Sequence, residues 1–519
     1  MDNNASKSEL AELVDIARAV TQEKDIDRLL DIILQKCRHI TNADAGSIYV
    51  VEHVPGEEPR LHFKLSQNDS CDFKSSEFTL PISNASVAGA VVLSKRPVNI
   101  DDVYDLEKGT PYTFDKSFDD RLGYRTCSML AVPLVSAKRE VLGVVQLINK
   151  KKSKEVKLDS DSAVEKHVVP FDNHSEQVLT TLAAQAGIAL ENALLYSDIQ
   201  NLFEGFVRAS VQAIEQRDPT TSGHSLRVSV LACELASKVD HVSDGRFADL
   251  KFSEKQMQEL EYASLLHDFG KIGVREQVLL KAKKLHDHEL CLVQTRIDAL
   301  FHQTRADFLE QKLTLIENSA SATELAAVEN NYAAQCALLR EAREFIERAN
   351  EPTVLRQGDF SRIQGLANIE LRDFKQLRVP LLNEEHIRAL QVTKGSLASD
   401  ELEEIRKHVV HTFQFLSRIP WGKTFQNIPE IAAAHHERLD GSGYPYGLGD
   451  SEIPAQSKIM TVADIYDALT AADRPYKKSL PHERAMDILF SEASSGHIDA
   501  DLVRIFHEAQ VVRVLQAVS

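Results

Sequence analysis

The sequence predicts a multidomain protein. An α+β module with an antiparallel sheet and helices comes first, joined by a long coiled-coil helix to an all-α domain that carries a helical insertion. Three observations lead there. Short β-branched runs at Ala45–Val51, Ser128–Val135 and Val141–Ile148 read as strands. Phe171 to Arg217 lacks proline and holds only Gly187 and Gly205. Val274–Glu351 has neither glycine nor proline and is rich in alanine, leucine, glutamate and glutamine, which favour helix. At 519 residues, 43% apolar and 27% charged, the chain suits two or three globular domains.

Within the first module, residues 1–175, Leu29, Leu30, Ile32, Ile33 and Cys37 follow helical spacing ahead of the strands. The connecting helix, 176–216, carries a 3-then-4 spacing through Leu179, Leu182, Ala186, Ala189, Ala193, Tyr196, Gln200, Phe203, Val207, Ser210 and Ile214. That is the pattern of a coiled-coil seam, and its continuity predicts a homodimer. The same spacing fits a helix whose first half packs on its own domain and whose second half packs on the next. The last domain, 207–519, is helical, with residues 289–395 read as an inserted arm broken near Glu317–Thr323.

A net charge of −18 argues against binding a nucleic-acid polymer. No apolar stretch approaches the roughly 18 residues of a membrane span, and Met1–Ala11 lacks a signal pattern, so no membrane association and a cytoplasmic location are expected. Six scattered cysteines without a CxxC pair offer neither a disulfide framework nor a thiolate zinc site.

The nineteen histidines are more informative. His-Asp occurs twice. His267-Asp268 ends an apolar helical run (Leu260, Ala263, Leu265, Leu266) and precedes Phe269-Gly270-Lys271, so a buried charged pair there needs a partner such as a metal. His286-Asp287 lies among Lys281, Lys283 and Lys284 and reads as a solvated turn.

His267-Asp268-Phe-Gly-Lys271, followed by His435-His436-Glu437-Arg-Leu-Asp440-Gly-Ser-Gly443-Tyr444-Pro445, resembles the HD-GYP family of bacterial phosphodiesterases. Asp218-Pro-Thr-Thr-Ser-Gly-His224 upstream and Val462-Ala-Asp464-Ile-Tyr-Asp467 downstream agree with it. The resemblance implies two divalent metals, iron or manganese, with zinc, nickel or cobalt as other candidates. One would be held by His224, His267, Asp268 and Asp464, the other by the shared Asp268 with His408, His435 and His436. His411, one turn from His408, is the competing choice. Thr220 stands where some relatives hold a third metal through glutamate, so two are expected. The resemblance further implies Lys271 as the phosphate-neutralising cation, Asp440 as a proton acceptor or an orienting group for the leaving hydroxyl, and Gly443, Tyr444, Pro445, Asp467, Arg474 and Lys477 as substrate contacts. A metal pair of this kind suits in-line phosphoryl displacement. The resemblance implies hydrolysis of cyclic di-GMP to pGpG, with onward cleavage to GMP left open. Rival readings are a phosphodiesterase for cyclic GMP-AMP, a non-catalytic cyclic-dinucleotide receptor, and an iron oxygenase, which the Gly-Tyr-Pro motif disfavours.

Ser128–Leu134, Val141–Lys150 and Ala186–Ala193 resemble a GAF domain, a small-molecule sensing fold, over about Glu9–Tyr196. Cyclic-nucleotide-binding relatives carry Asn-Lys, then Phe, three residues and Asp-Glu. Here Asn149-Lys150, Phe171 and Ser175-Glu176 leave the lysine without that aspartate, so the module's role is left open between binding a cyclic nucleotide, binding a different small ligand and a purely structural part in dimerisation.

Overall fold

The computed structural model describes residues 23, 25–54, 56–71, 77–218, 222–353, 358–471 and 479–517. The chain divides into two compact units between Glu204 and Gly205.

In the first unit, α1 (Ile26–Thr41) is capped by Asp25, whose carboxylate accepts from the Arg28 amide, and ends at Asn42 in the left-handed region. The strands are β1 (Ala43–Glu52), β2 (Arg60–Asn68), β3 (Phe78–Pro81), β4 (Val98–Ile100), β5 (Met129–Val135), β6 (Val141–Lys151) and β7 (Val168–Val169). They form an antiparallel sheet in the order β3-β2-β1-β6-β5-β4, with β7 added against β6. Between them lie α2 (Val87–Ser94), α3 (Ser117–Leu122) and α4 (Asp161–His167). Alternation along the strands separates two cores. Ile48, Leu130, Val132, Val145 and Leu147 face α1 and the long helix α5 (Asn173–Arg217), whereas Tyr49, Leu61, Phe63, Met129 and Val144 face α2. Each fully buried leucine, such as Leu29 or Leu179, contributes about 1.5–3 kcal/mol.

Helix α5 departs from the sequence reading in two ways. Leu179, Leu182, Ala186, Ala189 and Ala193 are buried against the sheet, and Val207 and Ile214 are buried in the second unit. The two ends of the stripe read as a coiled-coil seam are therefore buried within the chain, whereas Tyr196 and Gln200 between them are exposed. Gly187 permits the close approach, since a Cβ there would lie 2.3 Å from the Val135 carbonyl oxygen. Ile188, Leu195, Ile199, Leu202 and Phe206 occupy a different face and are exposed, Leu202 by 76%. In addition, α5 is long and apolar enough, by length and composition alone, to cross a membrane, contrary to the expectation that no stretch approached this. Half of its most apolar 18-residue window, of mean hydropathy 1.4, is buried.

The second unit continues with α6 (His224–Val239), α7 (Glu254–Leu266), a 3-10 turn (Phe269–Gly273) and α8 (Glu276–Leu279). Next come α9 (Asp287–Glu317), α10 (Ala322–Ala349) and α11 (Asp359–Ala367). A hairpin of β8 (Glu370–Arg372) and β9 (Arg378–Pro380) and then α12 (Glu384–Leu390) follow. The insertion is thus not purely helical. Asp373 accepts from the Lys375 and Leu377 amides and turns the chain, and Gln376 takes a positive φ. Val293, Ile297, Phe345, Ile346, Ile363, Leu381 and Leu390 give this region a core of its own. The remaining elements are α13 (Ser399–Arg406), α14 (His408–Leu416), α15 (Ile428–Ala433), α16 (Ala455–Thr470), α17 (His482–Ser494), α18 (Ala500–Glu508) and a closing 3-10 turn (Val511–Ala517).

Candidate metal centre

Five segments of the second unit converge. His224 opens α6, His267 and Asp268 follow α7, His408 opens α14, His435 and His436 follow α15, and Asp464 lies within α16. The turn after Asp268 is locked onto α14. A Cβ on Gly270 would lie 1.8 Å from the His408 carbonyl oxygen, so only glycine fits. The Gly270 amide donates to Thr412 Oγ1 (2.8 Å), and that hydroxyl donates to the His267 carbonyl (2.9 Å). This packing brings His408 Nε2 within 3.3 Å of Asp268 Oδ1.

Three of the histidines have their rings fixed by backbone carbonyls. Nδ1 of His267, His408 and His435 lies 2.7, 2.6 and 2.6 Å from the carbonyls of Ser264, Ile405 and Ala432. A carbonyl only accepts, so Nδ1 carries the proton and Nε2 of the neutral ring presents its lone pair inward. Nε2 of His408 and of His435 is buried without a hydrogen-bond partner, a costly arrangement unless something else occupies it. The ligand atoms of His408, His435 and His436 lie within 4.8 Å of one another, as do those of His224, His267 and Asp268. Asp268 faces both groups, its other oxygen being 3.5 Å from His267 Nε2 and 3.9 Å from His224 Nε2. Asp464 Oδ1 is 3.1 Å from His224 Nε2 and 3.9 Å from His267 Nε2. These residues fit a pair of metal ions bridged by one carboxylate.

The protonation pattern agrees. Burial lowers the pKa of His267 and His435, and takes His436 down to about 4, keeping all three neutral. Burial acts the same way on His224, but the Asp464 and Asp467 carboxylates overcome it and bring that ring up to about 9. Burial would raise the pKa of Asp268, but the neighbouring Lys271 charge outweighs it and holds the carboxylate far below its usual range.

Several expected residues have other surroundings. Asp467, expected to touch substrate, is 2% exposed, with one oxygen 2.8 Å from His224 Nδ1. It also accepts from Arg227 Nε (2.7 Å) and Nη2 (3.1 Å). It thus meets Nδ1 of His224, while Asp268 and Asp464 stand near Nε2 of that ring. Asp440, expected to accept a proton, is exposed, and Ser442 engages its Oδ1 through its amide (3.0 Å) and hydroxyl (2.7 Å). Those bonds lower its pKa, which makes it a poorer base, and they shape the loop. Lys271 Nζ lies 2.8 Å from Asp268 and 3.3 Å from the buried Asp218, so its charge is shared before any phosphate arrives. His408, rather than His411, joins the cluster, while His411 packs on Gly273. His286-Asp287 is the start of α9, where Glu289 accepts from the His286 amide, rather than a turn. Thr220, Arg474 and Lys477 lie outside the described residues.

The Tyr444 ring stands 4.8 Å from the His436 ring at 34°, and the Tyr444 amide donates to the His436 carbonyl. Gly443 has no room for a side chain, because a Cβ would lie 2.3 Å from the Arg438 amide nitrogen; Pro445 follows Tyr444 through a cis peptide. Sequence reasoning passed over Glu437. It is buried and accepts from the amides of Tyr446 (2.7 Å) and Leu448 (3.0 Å), which fixes the loop. Arg227, Thr412 and Arg406 also went unassigned. Glu437 was visible beside the two histidines, whereas the others carry no local signal.

Family models for an HD domain match residues 221–311 and 385–502, and one for a GAF domain matches 25–190. The chain carries a GAF domain followed by an HD domain. The two HD matches flank residues within the insertion. Over 95 residues the chain is 39% identical to 3'3'-cGAMP-specific phosphodiesterase 3 of Vibrio cholerae, covering 18% of this chain and 20% of that protein. Over 91 residues it is 45% identical to a cyclic di-GMP phosphodiesterase of Thermotoga maritima, covering 18% and 24%. A cyclic di-GMP phosphodiesterase of Pseudomonas aeruginosa is 31% identical over 150 residues, covering 28% and 33%. The chain thus spans between a fifth and a third of the length of these relatives.

Proposed function

We propose that the HD domain is a metal-dependent phosphodiesterase that opens cyclic di-GMP to pGpG. The observation that carries this reading is the pair of buried donor groups facing one carboxylate, with the Nε2 atoms of His408 and His435 unpartnered. In this reading His224, His267, Asp268 and Asp464 hold one ion, and Asp268, His408, His435 and His436 hold the other, iron or manganese suiting mixed imidazole and carboxylate donors. Bound there, two such ions would lower the pKa of a coordinated water toward about 7 and offset negative charge building on the phosphate. The chain's own groups do the rest. The carbonyls behind His267, His408 and His435 fix the rings, Asp467 orients His224, and Lys271 offsets charge at Asp268 that would repel the substrate. Tyr444 provides an aromatic wall beside His436 for a base or sugar.

The second substrate reading, 3'3'-cGAMP, has the Vibrio cholerae relatives in its favour. Protein purified without oxygen and supplied with Fe(II) or Mn(II) is incubated with each dinucleotide, and the products are separated by chromatography. We expect pGpG from cyclic di-GMP. Preferential cutting of 3'3'-cGAMP would exchange the substrate, and two intact dinucleotides in the presence of bound metal would replace the enzyme with a receptor.

Regulation by the GAF domain belongs to the same proposal. A cavity of about 240 Å³ lies on the α2 side of the sheet. Tyr49, Phe63, Phe78, Phe114 and Phe118 line it, and Ser66, Ser47 and Gln146 form a polar row across β2, β1 and β6. Among the described lining residues there is no Lys, Arg or His, and Asp115 and Asp119 are present, which favours a flat ligand without negative charge over a cyclic nucleotide. Lys150 is not left unpaired by Ser175, since Asp172 lies 2.8 Å away.

The exposed face of α5 supports a homodimer by a seam other than the one first read. Ile188, Leu195, Ile199, Leu202 and Phe206 recur at heptad-compatible steps, and a second copy of this face is the complement such a pattern selects. Replacing Leu195 and Leu202 together by Asp should convert a dimer to a monomer in light scattering, with metal content kept. A variant that stays dimeric would reject this seam.

A further inference from the structure

Arg406 is the last residue of α13, two positions before His408. Its guanidinium lies 5.1 Å over the ring of Tyr444, which in turn stands 4.8 Å from the ring of His436. A cation, an aromatic ring and a metal-facing imidazole thus run in from the surface. Neighbouring cations have carboxylates beside them: Lys407 has Glu403 at 3.6 Å, Arg438 has Glu492 at 3.9 Å, and Arg275 is held by Glu404. Among the described residues Arg406 forms no ion pair, so its charge remains available.

We infer that Arg406 anchors the phosphodiester that is not being cut. A cyclic dinucleotide carries two phosphates on opposite sides of its ring. With one drawn to the histidine cluster, the other must lie outward, on the side where Tyr444 and Arg406 stand. A guanidinium offers paired donors matched to phosphate oxygens, and the Tyr444 face orients that fork without consuming its charge. Arg406 is therefore a specificity residue. It selects a substrate with a second phosphate and has nothing to grip on a simple diester. This inference rests on the phosphodiesterase reading above.

The test uses the full, metal-loaded chain as wild type, Arg406→Ala and Arg406→Lys, with cyclic di-GMP and bis(p-nitrophenyl) phosphate, a probe with a single phosphate. In Arg406→Ala the ratio of kcat/KM for cyclic di-GMP to that for the probe should fall about tenfold or more, mainly through KM. Metal content should be unchanged, and Arg406→Lys should recover part of the loss. An unchanged ratio would overturn the inference, because Arg406 would then serve only to hold Tyr444. If the wild type binds metal but cuts neither compound, the enzymatic reading fails by itself. Equilibrium binding of cyclic di-GMP then decides on Arg406: affinity about tenfold weaker in Arg406→Ala upholds the anchor, and equal affinity sinks it.

Discussion

Asp268→Ala will empty the centre of metal and abolish hydrolysis together. Asp268 lies within 3.3 Å of His408 and 3.5 Å of His267, so it is the carboxylate that faces both donor groups. Loss of residues that merely support a metal ligand costs about 10–100-fold, and a shared ligand should exceed the upper end of that range in both affinity and rate. Elemental analysis of purified protein should find half the wild-type metal or less. His435→Ala should behave similarly, because its bare Nε2 has no other task. Removing Asp268 also leaves Lys271 with Asp218 as its nearest carboxylate, so its charge keeps one partner. Asp268→Asn, which keeps the shape, guards against reading a folding defect as metal loss. Asp287→Ala is the control. It begins α9 on the exposed surface and should keep both metal and activity. An emptied centre in that variant would show that the other His-Asp pair is the ligand.

That these histidines and carboxylates would cluster was legible because their signal is local. Each histidine follows or opens a helix, and the carbonyl that fixes His267, His408 or His435 lies three residues before it, so short motifs carry the rotamer with the ligand. The GAF sheet was legible for a related reason, since alternation along β1, β5 and β6 encodes two buried faces. What failed was nonlocal. The stripe of α5 has the periodicity of a seam, but periodicity does not say whether the occupant is another chain or a sheet. Leu179 and Ala186 found β-strands, while Tyr196 and Gln200 on the same stripe stay exposed beside Leu195, Ile199 and Leu202. The hairpin at Glu370–Pro380 escaped because its three-residue strands are too short to interrupt a helical reading. Lys150 was expected to lack a partner at Ser175, yet Asp172 supplies the carboxylate from three positions earlier, across a turn that no motif spacing records.

Asp467→Asn separates the two roles that sequence and structure assign to one residue. As a substrate contact, its loss would raise KM and leave metal content alone. As the carboxylate behind His224, its loss should weaken metal binding about 10–100-fold while the fold persists. The geometry favours the second outcome. Asp467 is buried, its Oδ2 lies 2.8 Å from His224 Nδ1, and Arg227 donates to both of its oxygens. A carboxylate there keeps the imidazole oriented and makes Nε2 a better donor to a cation; an amide keeps the hydrogen bond but withdraws the charge. The measurement is metal retention during competition with a chelator, followed by kinetics at saturating metal. Recovery of near wild-type kcat/KM at high metal would fit a residue that acts through His224. A raised KM that excess metal does not correct, with metal affinity intact, would return Asp467 to the substrate side.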